Sequence, residues 1–179
     1  MSEKVNRLDH QTILVTGATA GIGEYTAKEL AQLGAHVVLV SRNPEKCVST
    51  CERIKDETGN PRVDYLVCDL SVQNQIKELV RRFKTRYDRL DVLVNNAGVS
   101  EPTPTVKLTE EGWDRVIDTN LKGSFLCSQA VGRHMIAQKH GKIINIASVV
   151  SLLAHPTQAV YCASKAGLIL LTKALAAEW

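Results

Sequence analysis

The 179-residue sequence lacks a run of lysines and arginines, an apolar stretch long enough to span a bilayer, and a clustered cysteine pattern. Each absence excludes something. A net charge of +3 with no basic patch argues against nucleic acid as a partner. The densest cation cluster is Arg81, Arg82, Lys84, Arg86 and Arg89, interleaved with Glu78, Asp88 and Asp91. It reads as the solvated face of a helix rather than a binding patch. No apolar run approaches the length of a membrane span, and residues 1–7 have no apolar core for a signal peptide. The five cysteines are odd in number and scattered. Cys47 and Cys51 share a helix face, but no histidine or further cysteine stands near them in sequence to complete a zinc site. Free thiols in a reducing cytoplasm are the expectation, with no bound metal. No linker, repeat or low-complexity tract divides the chain, so residues 1–179 read as one domain.

What is present is an alternation. Short, near-continuous apolar runs at 13–15, 36–40, 63–68, 90–94 and 142–147 predict five buried strands. Between them, helices are predicted over 24–33, from Pro44 to about 58, and over 72–87. A further helix runs from 110 to about 120 and on, with a kink, to about 138; another covers 157–179. Alternating strands and helices predict a doubly wound parallel α/β sheet of the Rossmann type. The chain stops inside the last helix, and its fifth strand is left as an exposed parallel edge. The expectation is therefore a portion of a longer protein, incomplete at the C-terminal edge.

Several loops carry chemistry. Thr16-Gly17-Ala18-Thr19-Ala20-Gly21-Ile22-Gly23 follows a strand and precedes a helix. That is the context of a phosphate-binding turn, although a glycine-rich structural turn has the same composition. The second strand ends Val40-Ser41-Arg42-Asn43, with a cation and no carboxylate where the ribose of a dinucleotide is read. This favours NADP over NAD. Asn95-Asn96-Ala97-Gly98 and Ser148 follow the fourth and fifth strands at the carboxyl ends, where ligands of open sheets bind. Tyr161 and Lys165 stand one helical turn apart on one face, which brings an ammonium near a phenol. Alone, that pair is more often a half-buried tyrosine with a lysine snorkelling past it.

Together these motifs resemble the short-chain dehydrogenase/reductase family. The resemblance rests on Thr16–Gly23 as Thr-Gly-x-x-x-Gly-x-Gly, Asn-Asn-Ala-Gly at 95–98, Asn120, Ser148, and Tyr-x-x-x-Lys at 161–165. It implies hydride transfer between a nicotinamide cofactor and a carbonyl or secondary alcohol. Tyr161 would be the general acid or base, and Lys165 would favour its ionised form and hold the nicotinamide ribose. Ser148 would polarise the substrate oxygen, and Asn120 would fix a relay water. Gly17, Thr19, Ala20, Gly21, Ile22 and Gly23 would hold the pyrophosphate. Ser41 and Arg42 would read the 2′ position, as in the NADP-preferring subgroup. Asp69 and Leu70 would flank the adenine, unless Asp69 is simply a capping residue. Asn96, Ala97 and Gly98 would line the adenosine ribose. The family's later strands and its substrate loop have no counterpart here, so an inactive chain is one expectation.

Within the family, residues 42–98 resemble retinol-dehydrogenase-like members. From about residue 108 onward the resemblance is to bacterial 3-oxoacyl-carrier-protein reductases and sugar-acid dehydrogenases. The expected substrate is a 3-oxoacyl, sugar-acid or retinol-type carbonyl, and the expected assembly a homodimer or homotetramer. The alternatives are a nucleotide-binding scaffold without turnover, and an epimerase or dehydratase that keeps its cofactor.

Overall fold

In the computed structural model, which describes residues 8–179, the apolar runs lie side by side as parallel strands. They are β1 (Thr12–Thr16), β2 (His36–Ser41), β3 (Val63–Val67), β4 (Val92–Asn95) and β5 (Lys142–Asn145). Their spatial order is β3-β2-β1-β4-β5. The chain steps outward from β1 to β3, then returns to place β4 on the other side of β1. That reversal opens a crevice at the carboxyl ends of β1 and β4.

Six helices cover the sheet: α1 (Gly21–Gln32), α2 (Pro44–Thr58), α3 (Gln73–Arg86), α4 (Glu110–Ile117), α5 (Gly123–Gln138) and α6 (Ala159–Glu178). Successive strand residues point to opposite faces, so each strand feeds two cores. Ile13, Val15, Val37 and Leu39 pack with Ala27 and Ala31 of α1 and Ile54 of α2. Leu14, Val38, Val40 and Leu93 pack with Leu79 and Phe83 of α3 and Cys127 of α5. Burial on both faces is why the strand sequences do not alternate.

Local chemistry sets the helix ends. Asn43 caps α2, its Oδ1 accepting the Lys46 amide at 2.8 Å, and Pro44 opens the helix. Thr109 caps α4 by accepting the Gly112 amide. Where one kinked helix is predicted over 110–138, the helix instead runs on through a π turn at Asp118–Lys122. That turn carries Asn120, which is fully buried. The last helix begins at Ala159 rather than 157. Thr157 has φ +63°, and its carbonyl accepts the Thr103 amide at 2.9 Å. The residues after β4 and β5, read as plain loops, contain 3₁₀ turns at Thr105–Lys107 and Val149–Ser151.

Among the described residues one helix, α6, has a mean hydropathy of 1.4 over an 18-residue window, enough by length and composition alone to cross a bilayer. Here α6 packs on the π turn, α4 and β5, and buries Lys165. Among the described residues β5 pairs only with β4, and Ile144 on it is 47% exposed.

Candidate active site

Three loops meet at the crevice. Thr16 ties the first to the fourth strand's loop. Its Oγ1 accepts the amides of Asn96 and Ala97, both at 3.0 Å. Asn96 returns the bond, its Nδ2 donating to the carbonyls of Thr16 and Gly17 at 3.0 and 3.3 Å. The Asn96 side chain is therefore a strut that holds the glycine turn. Asn95 faces the other way, its Nδ2 donating to Ser128 Oγ and Asn145 Oδ1.

The glycines of the turn serve different ends. A Cβ on Gly17 would lie 2.8 Å from the Ala97 Cα, and one on Gly23 would collide with the Gly17 carbonyl and the Asn96 amide. Both let backbone pack on backbone. Gly21 has φ +55° and nothing within 4 Å of a Cβ position. Beside it, Ala20 precedes α1 without a side-chain cap. The N-terminus of this 12-residue helix thus has no side-chain cap and begins at a glycine with open space where a Cβ would stand. That arrangement fits a pyrophosphate, which takes up helix N-terminal amides at close backbone approach.

Beyond the turn lies a cleft of about 380 Å³. Its walls bring together Gly17, Thr19, Ala20, Ser41, Arg42, Asp69, Leu70, Ala97 and Gly98. Thr19 and Ser41 share a hydroxyl hydrogen bond of 2.9 Å. Asp69 caps the turn before α3, with Oδ1 accepting the Ser71 amide and hydroxyl, and it also lines the cleft. One side chain thus closes the turn and faces the cleft. Ile22 is 68% exposed and takes no part in the cleft wall. Sequence reasoning missed Lys46, Asn43, Val99 and Thr119, which also line the cleft. Lys46 was visible as a cation four residues after Arg42, a spacing whose meaning depends on where α2 starts.

Lys165 is 4% exposed, and its Nζ donates to the Ile146 carbonyl at 2.6 Å. The same ammonium lies 5.9 Å from the centre of the Tyr161 ring. No ion pair to Lys165 occurs among the described residues, and burial pulls its pKa below the ordinary 10.5. Gly98 keeps the space beside it clear, since a Cβ there would stand 3.6 Å from Nζ and 3.4 Å from Asn120 Oδ1. Ile146 was another residue missed, because only its carbonyl acts.

Asn120 ties the loop after β4 to α6. Its Oδ1 accepts the Val99 amide at 2.8 Å, and its Nδ2 donates to the Val99 carbonyl at 2.9 Å and Ser164 Oγ at 3.1 Å. The side chain is committed to these partners. Ser164 passes the chain on, donating to the Tyr161 carbonyl at 2.8 Å. Ser148 caps the 3₁₀ turn after β5, its Oγ accepting the Val150 amide at 3.4 Å. Ser148, Tyr161 and Lys165 lie outside the lining of the cleft. Among the described residues, no group of three or more metal-ligating side chains converges.

Comparison with known proteins bears on this arrangement. The sequence model for short chain dehydrogenases matches residues 11–179. The chain is 43% identical to a 3-oxoacyl-[acyl-carrier-protein] reductase of Thermotoga maritima, covering 96% of this chain and 69% of that one. It is 38% identical to an NAD-dependent glycerol dehydrogenase of Listeria innocua, covering 99% and 68%. Among solved structures, a gluconate 5-dehydrogenase from Burkholderia cenocepacia, in complex with NADP and tartrate, superposes with a TM-score of 0.90. It shares 42% identity, over 97% of this chain and 67% of that one. With the family model matching residues 11–179 and relatives at about 40% identity, the chain belongs to the short chain dehydrogenase family.

Proposed function

We propose that the chain is an NADP-dependent oxidoreductase that interconverts a carbonyl and a secondary alcohol. Lys165 carries the reading. A structural lysine leaves its ammonium in water. This one is buried, has no carboxylate partner among the described residues, and sits beside the Tyr161 ring at the sheet's ligand rim. Burying an unpaired cation costs stability, which a catalytic task explains.

When bound, NADPH supplies the hydride. The protein supplies position and a proton. Tyr161 gives its hydroxyl proton to the substrate oxygen as the carbonyl becomes an alcohol. The Lys165 ammonium stabilises the phenolate left behind, and Ser148 donates to the substrate oxygen. Asn120 acts one step back, holding the loop at Val99 and, through Ser164, the Tyr161 backbone. The cradle at Gly21 takes the pyrophosphate. Arg42 and Lys46, in a cleft whose only carboxylate is Asp69, favour a 2′-phosphate. One relative is named as NAD-dependent and another was solved with NADP, so the preference rests on Ser41 and Arg42.

For the substrate, Val149, Leu152 and Leu153 follow Ser148 at 69%, 81% and 63% exposure. They favour a carbonyl flanked by an apolar chain, as in a 3-oxoacyl group. Exposed Ile136 of α5 and Leu170 of α6 support self-association through these helices. The free thiols support a reducing, cytoplasmic setting.

A Tyr161→Phe variant tests the reading. NADPH binding, followed by fluorescence, should persist, while carbonyl-dependent NADPH oxidation should fall by roughly 10²–10⁴-fold. Unchanged turnover overturns the assignment. Binding without turnover in the unaltered chain supports the second reading, a nucleotide-binding protein. That reading is favoured by the position of the cleft, which stops short of Tyr161. Ser41→Asp should shift preference from NADPH toward NADH, and no shift overturns the cofactor assignment.

A further inference from the structure

The cation cluster on α3 has no role at the crevice, and in the structure it divides. Arg81 pairs with Glu78 at 2.7 Å, and Arg89 pairs with Asp91. Lys84 has no ion pair among the described residues, and neither do Lys77 of α3 and Arg133 of α5. These three side chains line a groove of about 490 Å³ between α3 and α5, and no carboxylate lines it.

The groove leads into a cavity of about 430 Å³, and the two share Val80, Lys84, Ala130 and His134. The cavity floor is apolar. Leu14, Leu93, Phe83, Cys127 and Met135 form it, none more than 9% exposed. Burial pushes the Cys127 thiol up to about 12, so the floor carries no charge at neutral pH. Asp88 is the one carboxylate in the cavity lining. Asp88, Arg89 and Leu90 enter β4 from its amino end, so the cavity opens away from the glycine turn.

The volume lies in the range of small-molecule sites, about 300–1,000 Å³. An apolar floor under unpaired cations selects for two features in one molecule. An aliphatic body gains by leaving water, and an anionic head gains from cations at a partly desolvated rim. We propose that this crevice is a second binding site, for a small aliphatic carboxylate. The chain lies on Leu93, Phe83 and Met135, and the carboxylate sits between Lys84 and Arg133. A cationic amphiphile meets the same floor but is repelled at the rim.

Calorimetric titration of the full chain with decanoate, below its micelle threshold, tests this. The expected result is saturable binding of one decanoate per chain, with decylammonium at least tenfold weaker. Ala130→Phe fills the junction of groove and cavity and should abolish binding. The double variant Lys84→Glu, Arg133→Glu lies on exposed positions and leaves the core intact. It should weaken decanoate roughly tenfold, two charges reversed at surface-pair strength, with NADPH affinity unchanged. Absent or unsaturable binding overturns the proposal. So does equal affinity for decylammonium, or decanoate binding that both variants leave untouched. None of these outcomes depends on the oxidoreductase reading, which Tyr161→Phe tests separately.

Discussion

Substituting alanine at Gly17 and at Gly21 separates two reasons for one motif. Both positions have positive φ, +64° and +55°, so an L side chain at either costs about 1–2 kcal/mol. Only Gly17 adds a steric cost. Its Cβ would lie 2.8 Å from the Ala97 Cα and 3.1 Å from the Ala97 nitrogen, and those atoms are held by Thr16 Oγ1. Backbone fixed by hydrogen bonds cannot swing aside like a side-chain tip, and forced overlap of this kind costs about 1–3 kcal/mol more. For a chain of this size each kcal/mol moves Tm by about 2–4 °C. Gly17→Ala should therefore melt about 2–12 °C below Gly21→Ala. Gly21→Ala should instead lose cofactor affinity, because its new methyl projects into the space left for the pyrophosphate. Calorimetric melting without cofactor, with NADPH titration on both variants, reads the two effects. Equal destabilisation by the two substitutions would refute the steric argument. Undiminished NADPH affinity in Gly21→Ala would refute the cradle.

Three further outcomes are expected. Asn120→Ala leaves the Val99 amide and carbonyl without their buried partner. It should cost roughly 2–6 kcal/mol in urea denaturation, at about 1–3 kcal/mol per orphaned group. A loss under 1 kcal/mol would mean that the loop re-pairs. Lys165 has a pKa lowered by burial, so the unfolded chain binds more protons in the window between that lowered value and 10.5. The native state is penalised below the window and relieved as pH rises through it. Stability of the wild type should then rise with pH relative to Lys165→Met, and a constant difference from pH 7 to 10.5 would refute the burial penalty. Burial alone would raise the pKa of Asp91, but Arg89, the Thr12 amide and His140 outweigh it and hold it below the usual 3.8. Its stabilisation is complete above 3.8 and lost as pH falls through the folded value. Asp91→Asn should flatten the acid limb of the stability profile, and an unchanged limb would place the acid sensitivity elsewhere.

Much of the fold was legible because buried parallel strands declare themselves. Residues 13–15 and 37–40 are apolar throughout, since both faces are covered, and Pro44 and Gly59 mark the ends of α2 by fixed φ and left-handed conformation. The π turn at Asp118–Lys122 was not legible. Nothing in Asp-Thr-Asn-Leu-Lys distinguishes it from an ordinary helical turn, because the extra residue is accommodated by bonds to Val99 and Ser164 from other parts of the chain. The start of α6 was misplaced for the same reason, as the contact that holds Thr157 outside the helix comes from Thr103.

The sequence by itself determined the alternation of strand and helix, the glycine turn, and the Tyr161–Lys165 pair, all of which depend on local periodicity and residue type. Tertiary structure decided what those residues do. It made the Asn96 side chain a strut for the glycine turn, because Thr16 and Gly17 stand within its reach. It spent Asn120 on a neighbouring loop, added Lys46 to the cleft, and buried Lys165 against the Ile146 carbonyl. These outcomes depend on distances between segments far apart in the chain, which residue spacing along the sequence does not encode.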